Sequence, residues 1–314
     1  MQFNAFLKKI SEKSATAASG LPIKGLGGSL TSRALTETLD QFGCILFPNY
    51  GDFNENDCAN IEAALGASNV SYVGGNSPRT QKSESIYTST EYPAQWEISL
   101  HHEVAYLPQP PRYLVFHCAH PASKLGGTTV ADSRECFKKL PDEIKSAFLN
   151  HDLIYSQTFT DTLGFGKSWQ SVFETDSLDR VKSFCRSMGA LFETLRPGVF
   201  KVSYKAPSVI RCPTSGEIVW INQAHQWHSS SLPSAARRFL EGRVPETEWP
   251  HGVTFGNGQP IPNDWVATII DQYRSIQQVI HWQDGMLAIV NNLTFAHGRE
   301  SFEGKRDVRV AIFQ

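Results

Sequence analysis

The sequence has few of the features that mark membrane, secreted or nucleic-acid-binding proteins. Its 314 residues include only six cysteines, with no Cys-x-x-Cys pair, so neither a zinc knuckle nor a disulfide framework is indicated. The formal net charge is −2 and the pI about 6.6, which leaves no basic excess for nucleic acid or an anionic membrane surface. No apolar run has the length of a membrane span or a signal peptide. We therefore expect a cytoplasmic protein with reduced thiols whose partner is a small molecule.

A group of metal-binding residue types stands out against this background. His101 and Glu103 are two positions apart in a segment that reads as a strand, Glu97 to Val104. Residues i and i+2 of a strand share a face, so an imidazole and a carboxylate can meet at one cation there, while His102 points to the opposite face. His297 can complete the set. Two histidines and one carboxylate on one side of a metal form the facial triad of non-haem Fe(II) oxygenases.

The spacing alone is weak evidence. With 10 histidines and 31 acidic residues in the chain, about one His-x-(Asp/Glu) is expected by chance. A strand whose histidine is simply hydrogen-bonded and whose glutamate is solvated is the plain structural alternative. Zinc accepts the same three donors in a tetrahedral array.

Several further motifs surround these residues. They are Asn76-Ser77-Pro78-Arg79, the Tyr87 to Ala94 segment, His101 to Tyr106, Pro111-Arg112, Phe116 to Cys118, Gly126 to Thr129, Ala131 to Arg134, Gly216 to Gln223 and His297 to Phe302. Together they extend from about residue 70 to the end of the chain. With these motifs the sequence resembles the TauD/TfdA family of Fe(II)/2-oxoglutarate dioxygenases, and within it the SyrP-like branch.

This resemblance implies that His101, Glu103 and His297 bind Fe(II), with 2-oxoglutarate and O2 as co-substrates. It also implies that Thr129 and Arg306 hold the distal carboxylate of 2-oxoglutarate. An arginine suits this role because its guanidinium offers paired N–H donors and keeps its charge. Arg306 and Arg309 are three apart and face opposite ways on one strand. We prefer Arg306 and keep Arg309 as the alternative.

The resemblance further implies the substrate class. Relatives in this branch act on amino acids, free or attached to a carrier protein, so we expect hydroxylation of an amino-acid-like compound in specialised metabolism. Asn76 and Arg79 are expected near the substrate, and Asn222 offers a further polar group. The same iron chemistry could instead give desaturation or cyclisation, or act on a catabolic sulfonate or aryloxy acid. Halogenation is disfavoured, because halogenases lack the carboxylate that Glu103 supplies.

Two other classes remain as alternatives. A zinc hydrolase could use the three donors around an activated water, but it would have no use for Thr129 and Arg306. A non-catalytic jelly-roll binding protein would carry the three residues incidentally.

The pattern of elements favours an α+β, mainly β, fold. Strand and helix segments do not alternate regularly, which disfavours a doubly wound parallel sheet. Together with the family resemblance, this predicts a double-stranded β-helix (jelly roll, cupin-like) with outer helices and a large insertion between the ligand-bearing strands. We expect residues 1–314 to form one domain, with 1–32 irregular. His225 to Leu232 is expected to be a loop that helps to cover the site.

Overall fold

The computed structural model describes residues 15–17, 31–75, 77–160 and 167–314. Within these ranges the strands are β1 (Thr16–Ala17), β2 (Cys44–Phe47), β3 (Tyr87–Thr88), β4 (Ile98–His101), β5 (Tyr113–His120), β6 (Lys124–Leu125), β7 (Thr128–Asp132), β8 (Leu153–Thr160), β9 (Leu191–Arg196), β10 (Val199–Ala206), β11 (Ile210–Arg211), β12 (Ile218–Val219), β13 (His251–Phe255), β14 (Gln278–Ile280), β15 (Leu287–Asn291), β16 (Phe295–Arg299), β17 (Phe302–Glu303) and β18 (Asp307–Phe313). The helices are α1 (Ser32–Phe42), α2 (Glu55–Leu65), α3 (Ser133–Lys139), α4 (Asp142–Asn150), α5 (Trp169–Phe173), α6 (Leu178–Ser187), α7 (Ala224–Trp227), α8 (Ser234–Leu240) and α9 (Asn263–Ile276).

Two antiparallel sheets form the part of the fold that carries the candidate site. The larger has the order β1-β2-β15-β5-β18-β3, and the smaller has the order β14-β7-β16-β4. A third sheet, β13-β8-β10-β9, and most of the helices come from the chain between Glu103 and His297. The prediction of a mainly β jelly roll with outer helices and a large insertion is confirmed.

The strands of the larger sheet have two buried faces. In β5, Leu114 and Phe116 belong to the main hydrophobic core, whereas Tyr113 and Val115 pack in a second cluster with residues of α1 and α2. Side chains of a strand alternate between faces, so an unbroken apolar run is what a strand covered on both sides requires. The main core face carries Phe116 towards the smaller sheet, where its ring lies 5.4 Å from that of His297.

Local sequence signals set the ends of the first two helices. The side chain of Asn54 accepts a hydrogen bond at the start of α2, and the Asp57 carboxylate accepts one from the Asn54 N–H, which completes a capping box. Gly66 ends the helix in the left-handed conformation that glycine adopts without steric cost. α1 ends in the same way at Gly43.

Three predicted elements differ from the structure. Apolar residues at helical spacing from Trp265 to Ile280 predict a helix over this whole range. The observed helix ends at Ile276, because Gln278–Ile280 forms a strand that pairs with β7. Within the segment 1–32 that was expected to be irregular, Thr16–Ala17 pairs with β2 and Ser32 begins α1; residues 1–14 and 18–30 lie outside the described residues. The expected loop at His225 begins with a short helix, Ala224–Trp227. The assignment of residues 1–314 to one domain stays a prediction.

Among the described residues, no helix is both long and apolar enough to cross a membrane.

Candidate active site

Two adjacent strands of the smaller sheet bring the predicted metal ligands together. His101, the last residue of β4, is the register partner of His297 in β16, and their rings lie 4.4 Å apart. Glu103 follows β4 in a turn. One potential ligand atom from each of the three residues lies within 4.8 Å of the others, and all three residues are buried. The part of the chain that the structure describes contains no other such group of histidine, cysteine or acidic residues.

His101 is oriented by its own strand. Its Nδ1 lies 2.9 Å from the backbone oxygen of Ser99, a contact in which Nδ1–H donates, so the Nε2 lone pair remains available to a metal. Burial lowers the pKa of His101 to about 3, and the neighbouring His297 contributes in the same direction. The imidazole is therefore neutral near pH 7, the form that a metal binds.

Glu103 is ionised although it is buried. Burial alone would raise the pKa of its carboxyl group, but Arg79, followed by His297 and His101, holds that pKa below its ordinary value. Oε2 of Glu103 lies 2.5 Å from Nη2 of Arg79 and 3.4 Å from Nε2 of His297. Arg79 also stacks over the ring of Tyr72, with 4.5 Å between the guanidinium carbon and the ring centroid. Two imidazoles and one carboxylate, converging and buried, fit Fe(II).

The backbone around Glu103 is fixed by buried side chains. The Glu103 N–H donates to Oδ1 of Asn292 over 2.7 Å, and Gln223 donates from Nε2 to the backbone oxygen of His102. The His102 ring points away from the other two imidazoles, with Nε2 at 2.7 Å from the Ser133 hydroxyl and Nδ1 at 2.5 Å from the Asn292 carbonyl. His102 is thus a buried structural residue, as the strand alternation predicts. Local pattern does not indicate these roles of Asn292 and Gln223, because the two contacts join residues 189 and 121 positions apart.

A cavity opens beside the two histidines, and we call it the active-site cavity. Its lining consists of Arg79, Ser89, Thr90, Ile98, His101, Phe116, Thr128, His297, Gly298, Arg299 and Arg306.

Arg306 contributes an unneutralised cation to this cavity. Its Nε donates to the Gly126 carbonyl over 2.8 Å and its Nη1 to the Ser89 hydroxyl over 3.0 Å; no carboxylate in the described ranges forms an ion pair with it. Burial and the nearby Arg299 lower its pKa to about 10, which still leaves it protonated near neutral pH. A buried cation without a carboxylate partner suits a bound anion.

Arg309 occupies a different environment. It lies within β18, and its Nη2 is 3.0 Å from Oδ2 of Asp307, so its charge is already neutralised. It does not line the active-site cavity. The geometry thus supports the choice of Arg306 over Arg309.

The two threonines after Gly127 are separated by the strand register. Thr128 pairs with Arg299, and Thr129 pairs with Gly298. Directly paired residues share a face and neighbours alternate, so Thr128 lies on the face of His297 and Arg299 and lines the cavity. Thr129, the predicted 2-oxoglutarate residue, is buried but is not among the lining residues. Its role stays a prediction.

The structure does not support Asn222 as a substrate-binding residue. It is fully buried; its Nδ2 donates to the Ser208 carbonyl over 2.7 Å, and its Oδ1 accepts from the Ala224 N–H over 3.0 Å. The amide is therefore used to shape the start of α7, and Asn222 does not line the cavity. Asn76 lies outside the described residues.

The expected cover at His225 to Leu232 is tied to the core. His225 Nε2 lies 2.7 Å from the Leu100 carbonyl, and His228 Nε2 lies 3.0 Å from the Ile261 carbonyl. No residue of this segment lines the active-site cavity. The segment contacts β4 at the Leu100 carbonyl, and its role in covering the substrate stays a prediction.

The family model described as "Taurine catabolism dioxygenase TauD, TfdA family" matches residues 9–312. The chain belongs to this family. It is accordingly an Fe(II)/2-oxoglutarate-dependent oxygenase with O2 as a further co-substrate, and its substrate is a small molecule.

Individual proteins show the same likeness. The chain is 28% identical over 278 residues to the dapdiamide synthesis protein DdaC of Enterobacter agglomerans. The matched region covers 88% of this chain and 84% of DdaC. It is 24% identical over 286 residues to a clavaminate synthase-like protein of Arabidopsis thaliana, covering 88% and 83%. The solved structure of AAD-2 in complex with Mn(II) and N-oxalylglycine shares the fold, with a TM-score of 0.51, 15% identity and coverage of 90% and 86%.

Proposed function

We propose that this oxygenase hydroxylates an amino acid or an amino-acid-derived small molecule, free or attached to a carrier protein, in a biosynthetic pathway. The observation that carries the oxygenase part at residue level is the convergence of His101, Glu103 and His297 beside a cavity that also contains the unneutralised cation of Arg306. A metal and an anionic co-substrate both have complementary groups there.

In this proposal His101, Glu103 and His297 hold the iron. When bound, Fe(II) with 2-oxoglutarate and O2 supplies the oxidising power to cleave an unactivated C–H bond. Burial keeps the His101 imidazole in the neutral form, and Arg79 keeps the Glu103 carboxylate ionised and fixed in direction. Phe116 covers one side of His297 and helps to exclude water.

The same proposal assigns the distal carboxylate of 2-oxoglutarate to Arg306. Gly126 and Ser89 fix the guanidinium from two sides, so it can pair with an incoming carboxylate at little cost in side-chain entropy. A threonine hydroxyl completes the contact: Thr129 is the residue that the family pattern indicates, and Thr128 is the one that lines the cavity.

The substrate class rests on the relatives. DdaC is named for dapdiamide synthesis, and the Arabidopsis protein for its likeness to clavaminate synthase, so both names point to biosynthesis. This supports an amino-acid-like substrate of the SyrP-like branch over the sulfonate that the family's name suggests. Arg79, expected near the substrate, lines the cavity but is paired with Glu103, so we assign it to the ligand rather than to the substrate. A cytoplasmic location is part of the proposal, because all six cysteines are buried free thiols.

We propose hydroxylation as the reaction outcome, because it requires no protein group other than the iron ligands. Desaturation and cyclisation are the alternative outcomes that the same ligands allow. A zinc hydrolase is disfavoured because it would leave Arg306 as a buried cation without an anion. A non-catalytic role is disfavoured by family membership.

Two measurements test the proposal. Metal analysis of purified protein, with succinate release from 2-oxoglutarate under air, tests the oxygenase chemistry. Free amino acids and carrier-bound aminoacyl groups are then screened for succinate release coupled to a product heavier by one oxygen. Coupled turnover with amino-acid substrates is the expected result. Stimulation only by sulfonates or aryloxy acids would overturn the substrate class and leave the iron chemistry intact.

A further inference from the structure

The backbone next to Glu103 adopts a conformation that is unfavourable for its sequence. Val104, the following residue, has a φ of 54°. This left-handed region is sterically poor for L-residues and worst for β-branched ones such as valine. Surrounding structure must enforce such a conformation, and residues of this kind cluster at functional sites.

Backbone pairing in β4 cannot enforce the left-handed conformation of Val104. β4 ends at His101, so the ladder of backbone hydrogen bonds does not include Glu103. Glu103 nevertheless has both of its backbone groups bonded, and both bonds go to one side chain. Oδ1 of Asn292 accepts from the Glu103 N–H over 2.7 Å, and Nδ2 of Asn292 donates to the Glu103 carbonyl over 3.2 Å.

In an antiparallel sheet, the two residues of a hydrogen-bonded pair exchange both of their N–H···O=C bonds. Asn292 forms the same two bonds with the Glu103 backbone. Here the partner is an amide side chain. Asn292 is fully buried and is itself fixed by a third bond, from Nδ2 to the Pro111 carbonyl over 2.8 Å. Its backbone N–H donates to the Arg112 carbonyl over 2.8 Å, so Asn292 is anchored to residues outside the turn that it holds.

We propose that Asn292 is a positioning residue for the metal ligand Glu103. It substitutes for a strand partner after β4 has ended and holds the Glu103–Val104 backbone in the strained form that directs the carboxylate towards His101 and His297. This inference rests on the proposed function, since it concerns the ligand role of Glu103.

The test uses Mn(II) alone as the probe, without 2-oxoglutarate or substrate. We expect Asn292→Ala to raise the Kd for Mn(II) by about 10–100-fold, the range seen when groups that orient a ligand are removed. The matched control is Asn291→Ala. The Asn291 amide bonds Oδ1 of Asp40 over 2.9 Å and the Leu293 N–H over 3.1 Å, so its loss should lower Tm but leave the Kd for Mn(II) unchanged.

A merely structural role for Asn292 would lower Tm in both variants and change Mn(II) affinity in neither, which overturns the proposal. An equal rise of Kd in both variants overturns it as well, because that would reflect general loosening of the loop. If Glu103→Ala binds Mn(II) as tightly as the unaltered chain, it is the proposed ligand set that fails.

The unaltered chain supplies a measurement that does not depend on a variant's folding. Because the Glu103 N–H is bonded to a buried acceptor, its hydrogen exchange without metal should be as slow as that of the β16 amides. Exchange at the rate of an open loop would overturn the proposal.

Discussion

Nη2 of Arg79 donates to Oε2 of Glu103 across 2.5 Å, and both side chains are only 3% exposed. This ion pair connects the segment before β3 to the turn after β4. In the absence of metal, Arg79 is the positive charge that makes an ionised carboxylate tolerable at a site closed to water. The pair therefore bears on folding as well as on the metal site.

The first prediction concerns this ion pair. Arg79→Met should lower the free energy of unfolding of the metal-free protein by about 3–5 kcal/mol, because it leaves Glu103 as an unpaired buried charge. Urea denaturation measures the loss. Combining it with Glu103→Gln should recover part of that loss, since the remaining charge is then removed as well.

The control is Lys167→Met. Lys167 lies 5.6 Å from the same Tyr72 ring, but it forms no ion pair with Glu103 among the described residues. Its substitution should cost much less. Equal losses for the two variants would contradict a special role of the Arg79–Glu103 pair.

The second prediction concerns the co-substrate. Arg306→Ala should weaken 2-oxoglutarate binding by about 2–5 kcal/mol, the cost of removing one partner from a buried charge pair, while Fe(II) still binds. Arg309→Ala should have a small effect, because Arg309 is paired with Asp307 and lies outside the cavity. Titration of 2-oxoglutarate into the metal-loaded protein compares the two. A larger effect at Arg309 would show that the assignment is reversed.

Much of the candidate site could be predicted because its residues are local or belong to a recognisable family pattern. Strand alternation separates His101 from His102, and the structure agrees. The prediction placed His101 and Glu103 on one strand, but the strand ends at His101, and a turn directs the Glu103 side chain. Alternation cannot reveal that Asn292, 189 positions away, holds this turn. Contacts between residues so far apart in the sequence depend on the tertiary fold.

Other differences between the sequence predictions and the structure have a similar origin. The apolar stripe from Trp265 to Ile280 continues without interruption, but its last three residues satisfy an open edge at β7. The sequence suggests Asn222 as a further polar group near the substrate, whereas its side-chain donor and acceptor both bond nearby backbone. Local pattern predicts which residues are buried, and tertiary contacts decide what they bind.

The third prediction separates the two threonines of β7. Because Thr128 shares a face with Arg299 and lines the cavity, Thr128→Val should raise the 2-oxoglutarate requirement more than Thr129→Val. Thr128 also accepts a hydrogen bond from Trp282 Nε1 over 3.0 Å, so Thr128→Ser, which keeps an acceptor, should recover most of the loss. A larger effect for Thr129→Val would support the assignment that the family pattern indicates.

The last prediction concerns the ligands themselves. His101→Ala, Glu103→Ala and His297→Ala each remove one of only three protein donors, so each should weaken Fe(II) binding by more than the 10–100-fold that outer partners cost. His102→Ala is the comparison: its ring is bonded to Ser133 and Asn292 and not to the site, so it should lower Tm yet retain stoichiometric iron. Anaerobic Fe(II) titration and thermal unfolding, measured on all four variants, separate the two effects. Retention of iron by any of the first three would remove that residue from the ligand set, since the buried group of two imidazoles and one carboxylate contains no fourth histidine, cysteine or acidic residue of the described chain to replace it.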